Sequence, residues 1–124
     1  MVTAVGIDIV EIARIDRLLK IYGVRFERKV LGDSERKLLL SRRDQAQFEA
    51  GRFACKEAII KALGRYLPQR PAYHQIEIIG DEHRGPVANF PAEIAGALGR
   101  ARTLVSISHE KTHAVAMAVV SEEL

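Results

Sequence analysis

Residues 2–10 are apolar, rich in β-formers and alternate in facing, so they read as a strand. Val5, Ile7 and Ile9 fall on one face; Ala4, Gly6, Asp8 and Val10 fall on the other. The period then becomes helical over residues 11–22. Ile12, Ile15, Leu19 and Tyr22 form an inner stripe, while Arg14, Arg17, Leu18 and Ile21 lie on the outer side, and Gly23 ends the segment. Asp33, Ser34 and Glu35 mark a second helix start, with Leu38, Leu39 and Leu40 behind them. A longer helix is predicted from near Asp44 to about Tyr66, closed by Pro68 and Pro71. Residues 73–79 alternate as a strand, 80–86 form a Gly-rich turn, and 91–98 a short helix opened by Pro91. Residues 103–109 and 113–120 read as a hairpin. The order predicts one α+β domain over residues 1–124, with a mainly antiparallel sheet packed on a long central helix.

That long helix is apolar on two sides. Phe48, Cys55, Ile59, Ala62 and Tyr66 cluster on the expected core face. Ala50, Phe53, Glu57, Ile60, Lys61 and Gly64 lie opposite, so a small and apolar face carries a carboxylate and an ammonium one turn apart. Two readings stand for Glu57 and Lys61. They are an i,i+4 surface pair, or they line a cleft or subunit interface and do chemistry there. Asp8 closes an otherwise apolar strand, and it caps the next helix or is paired. If strand end and helix face met, Asp8 and Glu57 would form a hard oxygen site suited to magnesium.

Composition narrows the classes. The 124 residues are 48% hydrophobic and 28% charged, a globular balance in a length that buries roughly two-thirds of its unfolded surface. Cys55 is the one cysteine, which excludes a disulfide scaffold and fits a reducing, cytoplasmic setting. No apolar run reaches the ~20 residues of a membrane span, and the first residues lack the basic flank of a signal peptide. Residues 1–70 hold 15 Lys/Arg against 9 Asp/Glu, whereas 71–124 hold 4 against 7. The basic half suggests an anionic partner: nucleic acid, a phosphorylated ligand or an acidic protein. Nucleic acid is disfavoured, because Trp is absent, the aromatics are scattered and a basic binding module gives Asp8 and Glu57 no role. Ser108 and His109 point to opposite strand faces, and no G-x-S-x-G elbow is present, which argues against a serine hydrolase.

Three segments together carry a resemblance. Gly6-Ile7-Asp8-Ile9-Val10-Glu11-Ile12, the run from Gly51-Arg52-Phe53 through Lys56-Glu57 and Lys61 to Gly64, and Val105-Ser106-Ile107-Ser108-His109 with His113-Ala114-Val115-Ala116 are similar in order and spacing to the motifs of the holo-acyl-carrier-protein synthases, the small 4′-phosphopantetheinyl transferases. The resemblance implies transfer of phosphopantetheine from coenzyme A to a serine of an apo acyl carrier protein, in the service of fatty acid biosynthesis. It implies magnesium on Asp8 and Glu57, with Lys61 as a coenzyme A phosphate contact and a member of the catalytic set. Arg52, Lys56 and His109 match positions near coenzyme A. The serine proton is expected to pass to Glu57 or to a metal-held water. A homotrimer with interfacial sites is implied, which would cover the second apolar face of the long helix. Arg14, Arg17, Leu18, Ile21 and Arg25 are expected to dock the acidic carrier protein, since interleaved arginine and aliphatic residues suit a small steered interface. The stretch 70–75 departs from the family's usual loop, as do Cys55, where alanine is common, and Arg65–Pro68 after Gly64, where further glycines are usual.

Overall fold

A computed structural model of the chain describes residues 1–80, 83 and 85–123. Its elements are β1 (Val2–Glu11), α1 (Ile12–Tyr22), α2 (Val24–Val30), α3 (Asp33–Leu40), α4 (Gln45–Leu63), a 3-10 turn (Tyr73–Gln75), β2 (Glu77–Ile79), β3 (Val87–Asn89), α5 (Ala92–Leu98), β4 (Arg102–His109) and β5 (His113–Ser121). β1, β5 and β4 form one antiparallel sheet in that order, and β2 pairs with β3 in another. The α+β expectation is met. Three local expectations are not. A helix occupies 24–30, where none was predicted. The segment expected as one strand over 73–79 opens with the 3-10 turn. Tyr22 is half exposed rather than part of the inner stripe of α1. The turn expected over 80–86 lies in part outside the described residues.

Small side chains set how closely α4 meets the sheet. Ala50, Ala54, Ala58 and Ala62 recur every fourth residue on α4 and are all buried. Ala114, Ala116 and Ala118 recur every second residue on β5 and are buried in the same core cluster. Gly6 completes the fit, because a Cβ there would stand 2.0 Å from the Ala58 carbonyl oxygen and 3.0 Å from the Ala62 nitrogen. Only glycine lets β1 cross α4 at this distance. Asp8, two residues on, is thereby carried to the same stretch of α4.

The other side of α4 is covered too, by helices α1–α3 and β2. Phe53, assigned to the second face, packs against Tyr73 with ring centroids 5.2 Å apart, whereas Ala50, assigned there too, belongs to the buried alanine row. A helix buried nearly all round has no single apolar stripe. The uncovered apolar face therefore lies on the sheet, not on α4 as the resemblance led us to expect. Val5, Ile7 and Ile9 are each more than half exposed, with Leu104 at 63% and Met117 at 44% beside them. Register places Val119 opposite both Val5 and Leu104, and Met117 opposite Ile7.

Candidate active site

The close approach at Gly6 sets Asp8 against the last turns of α4. Lys61 Nζ donates to Asp8 Oδ1 at 3.1 Å and to the Ile7 carbonyl at 3.0 Å. One turn earlier, Glu57 Oε1 accepts from Arg70 Nη2 at 3.0 Å and from the Tyr73 hydroxyl. The Asp8 and Glu57 side chains are 18% and 21% exposed, so both are partly open to solvent. Both act on Tyr73. Burial raises the pKa of its phenol, the hydrogen bond to Glu57 raises it further, and the charge of Asp8 adds to the same shift. One carboxylate from a strand and one from a helix thus each hold a cation, and both act on Tyr73.

Lys56 is the correction in this region. Its ammonium was expected at coenzyme A, yet it is fully buried behind α4. It donates to Glu35 Oε1 and to the Val30 carbonyl, each at 2.5 Å. Glu35 also accepts the amides of Gly32 at 3.0 Å and Ile78 at 2.9 Å. Burial lowers the Lys56 pKa, and Glu35 opposes that shift. No phosphate reaches this amine while the pair is closed. Arg52 is also turned away from the carboxylates: its guanidinium lies 4.2 Å from the Phe48 ring centroid and reaches the Ile78 carbonyl at 3.4 Å. His109 is exposed at the end of β4, with Nε2 3.1 Å from Gln47 Nε2 at the start of α4. Glu57 is ten residues further along, about 15 Å at the helical rise.

A groove of about 510 Å³ opens between α1 and α2 and runs inward to Phe53 and Tyr73. Arg14, Leu18 and Arg25, three of the five residues expected to dock a carrier, line it. Arg17 instead sits 3.7 Å from Glu11, and Ile21 is 68% exposed on α1 outside the groove. Tyr73 joins the groove to Glu57, because its ring lines one and its hydroxyl binds the other. Neither Tyr73 nor Arg70 was singled out as a site residue from the sequence. The one signal available was that they fall in the stretch departing from the family's loop.

The model of the 4′-phosphopantetheinyl transferase superfamily matches residues 4–119. The chain belongs to that family. It is 40% identical over 116 residues to the holo-[acyl-carrier-protein] synthase of Chlorobaculum tepidum, covering 93% of this chain and 95% of the relative. The crystal structure of the Neisseria meningitidis holo-[acyl-carrier-protein] synthase superimposes with a TM-score of 0.88 at 29% identity, over 98% of this chain and all of that one. The Helicobacter pylori synthase, solved in complex with coenzyme A, gives a TM-score of 0.82 at 32% identity over 94% and 99% of the two chains. The fold and the enzyme class expected from the motifs are therefore those observed.

Proposed function

We propose that this transferase moves 4′-phosphopantetheine from coenzyme A to a serine hydroxyl of an apo acyl carrier protein, releasing adenosine 3′,5′-bisphosphate. The observation that supports the reading is the contact of Lys61 with Asp8, with Glu57 one turn before Lys61 on α4, in a chain related along nearly its whole length to holo-[acyl-carrier-protein] synthases. The reaction breaks a pyrophosphate and needs positive charge at its oxygens, not a nucleophile from the enzyme.

The donor set fits magnesium. Asp8 and Glu57 offer hard oxygens, and two carboxylates suffice where substrate phosphates complete the shell. The ion would supply charge neutralisation at the pyrophosphate. Lys61 is 52% exposed, so its ammonium can turn from Asp8 toward a coenzyme A phosphate. Arg14, Leu18 and Arg25 would receive the carrier in the groove that leads to Glu57.

Self-association is part of the reading. Exposed apolar faces of this kind mark interaction surfaces, and Val5, Ile7 and Ile9 flank Asp8 along β1. A homotrimer packed on this face would set its site beside the interface. His109, remote from Glu57 within its own chain, would then contribute to the site of a neighbouring copy. Among the described residues no helix is long and apolar enough to cross a membrane, and the buried thiol of Cys55 suits the cytoplasm.

Intact-mass spectrometry of an apo carrier protein, incubated with the chain, coenzyme A and magnesium, tests the reaction. The expected result is a gain of one phosphopantetheine mass that a chelator abolishes. No gain across several acidic carriers overturns the transfer, and an undiminished gain with chelator overturns the metal.

A further inference from the structure

The contacts around Glu57 carry an inference that rests on the metal role just proposed. Arg70 Nη2 donates to Glu57 Oε1 at 3.0 Å and to the Tyr73 oxygen at 2.8 Å. A guanidinium has donors only. The Tyr73 oxygen is therefore the acceptor in its contact with Arg70, and its own hydrogen is left for Glu57, which it meets at the same Oε1. One carboxylate oxygen is thus held by two donors, while among the described residues no hydrogen bond engages Oε2. The clasp is itself supported. The Arg70 guanidinium lies 5.5 Å from the Tyr73 ring centroid, and that ring packs on Phe53 of α4.

We propose that Arg70 and Tyr73 are positioning residues for Glu57, pinning Oε1 so that Oε2 is the oxygen presented to a divalent cation. Outer hydrogen bonds of this kind orient metal ligands, and their loss typically weakens metal binding by about 10- to 100-fold. Because the Tyr73 ring also lines the groove between α1 and α2, one side chain sets both the carboxylate and the inner end of the groove.

The test is coenzyme A binding by calorimetry at a series of magnesium concentrations, with no carrier present. Tyr73→Phe keeps the ring and removes the donor; Arg70→Gln removes the charge and the fixed fork. Each is expected to raise the half-saturating magnesium concentration about tenfold, with thermal midpoints near that of the wild type and partial recovery in Arg70→Lys. A wild-type magnesium midpoint in Tyr73→Phe overturns the proposal. A lowered midpoint in Arg70→Gln overturns it too, making Arg70 a cation that competes with the metal. Wild-type binding indifferent to magnesium, with transfer that survives a chelator, overturns the metal reading and this inference together. Magnesium dependence in the wild type with unchanged variants overturns this inference alone.

Discussion

Lys56 and Glu57 are consecutive on α4 and end in different electrostatic regions. Behind the helix, Lys56 and Glu35 are both fully buried and bonded to each other, and each also bonds backbone groups. In front of it, Glu57 and Asp8 are partly open, and each holds a long cationic side chain that is more than half exposed. The same residue types serve both regions. What differs is exchangeability. A buried ion has no water to replace its partner, so the inner pair is fixed. In the outer region Lys61 can leave Asp8 for solvent or for a phosphate at little cost, since exposed ion pairs are worth about 0–1 kcal/mol. The inner region ties α2, α3 and β2 to the helix; the outer one leaves Asp8 free to change partners and one oxygen of Glu57 open.

The largest expected effect separates chemistry from folding at the outer pair. Asp8→Asn and Glu57→Gln should each lower kcat/KM by about 100-fold or more, while thermal midpoints stay within a few degrees of wild type. Lys61 and Arg70, left unpaired, remain hydrated. Turnover near the wild-type rate in either variant would erase the distinction drawn between the two regions.

The inner pair should behave in the opposite way. Lys56→Met leaves the Glu35 carboxylate buried with only two amide donors, and stranding one member of such a pair costs about 3–5 kcal/mol. Urea unfolding should show that loss, with Glu35→Gln/Lys56→Met closer to wild type than Lys56→Met alone. Wild-type stability combined with lost coenzyme A binding would return Lys56 to the outer region.

How far this division was legible in the sequence depends on the range of the forces that made it. Strand β1, the β4–β5 hairpin and the ends of α1 follow from local period and turn chemistry; Gly23, at φ 54°, does stop α1 and bonds back to the Leu19 carbonyl. Helix α2 escaped because seven residues give only one apolar repeat, Phe26 to Val30. Alternation in β1 showed two faces but not which was inside, because both are apolar. The fit of Gly6 to the α4 backbone decided it. The roles expected of Asp8, Glu57 and Lys61 came from the resemblance to the transferase motifs, not from local pattern. Nothing local distinguished Lys56 from its neighbour, since its partner Glu35 lies 21 residues away and the Ile78 amide that completes the pair lies 43 from Glu35. Arg70 and Tyr73 sit in an irregular segment, where a side chain's partner cannot be read from period.

Glu49 sharpens the inner region further, with an effect that depends on pH. It is fully buried about two turns before Lys56, and neither carboxylate oxygen has a partner among the described residues. Burial pushes its pKa up to about 8; the charges of Glu27 and Glu35 add to the rise and Lys56 opposes it. The folded chain thus keeps a proton that the unfolded chain releases above the ordinary carboxylate value of 4.5. Stability should therefore fall as pH rises from about 4.5 to 8 and level off beyond, at up to ~1.4 kcal/mol per pH unit. Glu49→Gln cannot titrate, so it should match wild type near pH 4.5 and exceed it by a few kcal/mol above pH 8. Parallel stability curves for the two proteins would mean that Glu49 finds a partner when charged.

The smallest effect asks how far the outer region extends. Arg14 is exposed on α1 and lines the groove whose inner end is Tyr73. A rim charge of this kind steers an acidic partner and contributes little to a site beyond the screening length, about 8 Å at physiological salt. Arg14→Glu should raise the KM for the carrier protein roughly three- to tenfold at low salt, with the difference shrinking as salt is added. Coenzyme A affinity should not change, because Arg14 reaches neither Asp8 nor Glu57. Equal loss of both affinities would place Arg14 in the coenzyme A site and make the groove one continuous pocket. Loss of carrier affinity alone would show that the two substrates approach Glu57 from different sides, with Tyr73 between them.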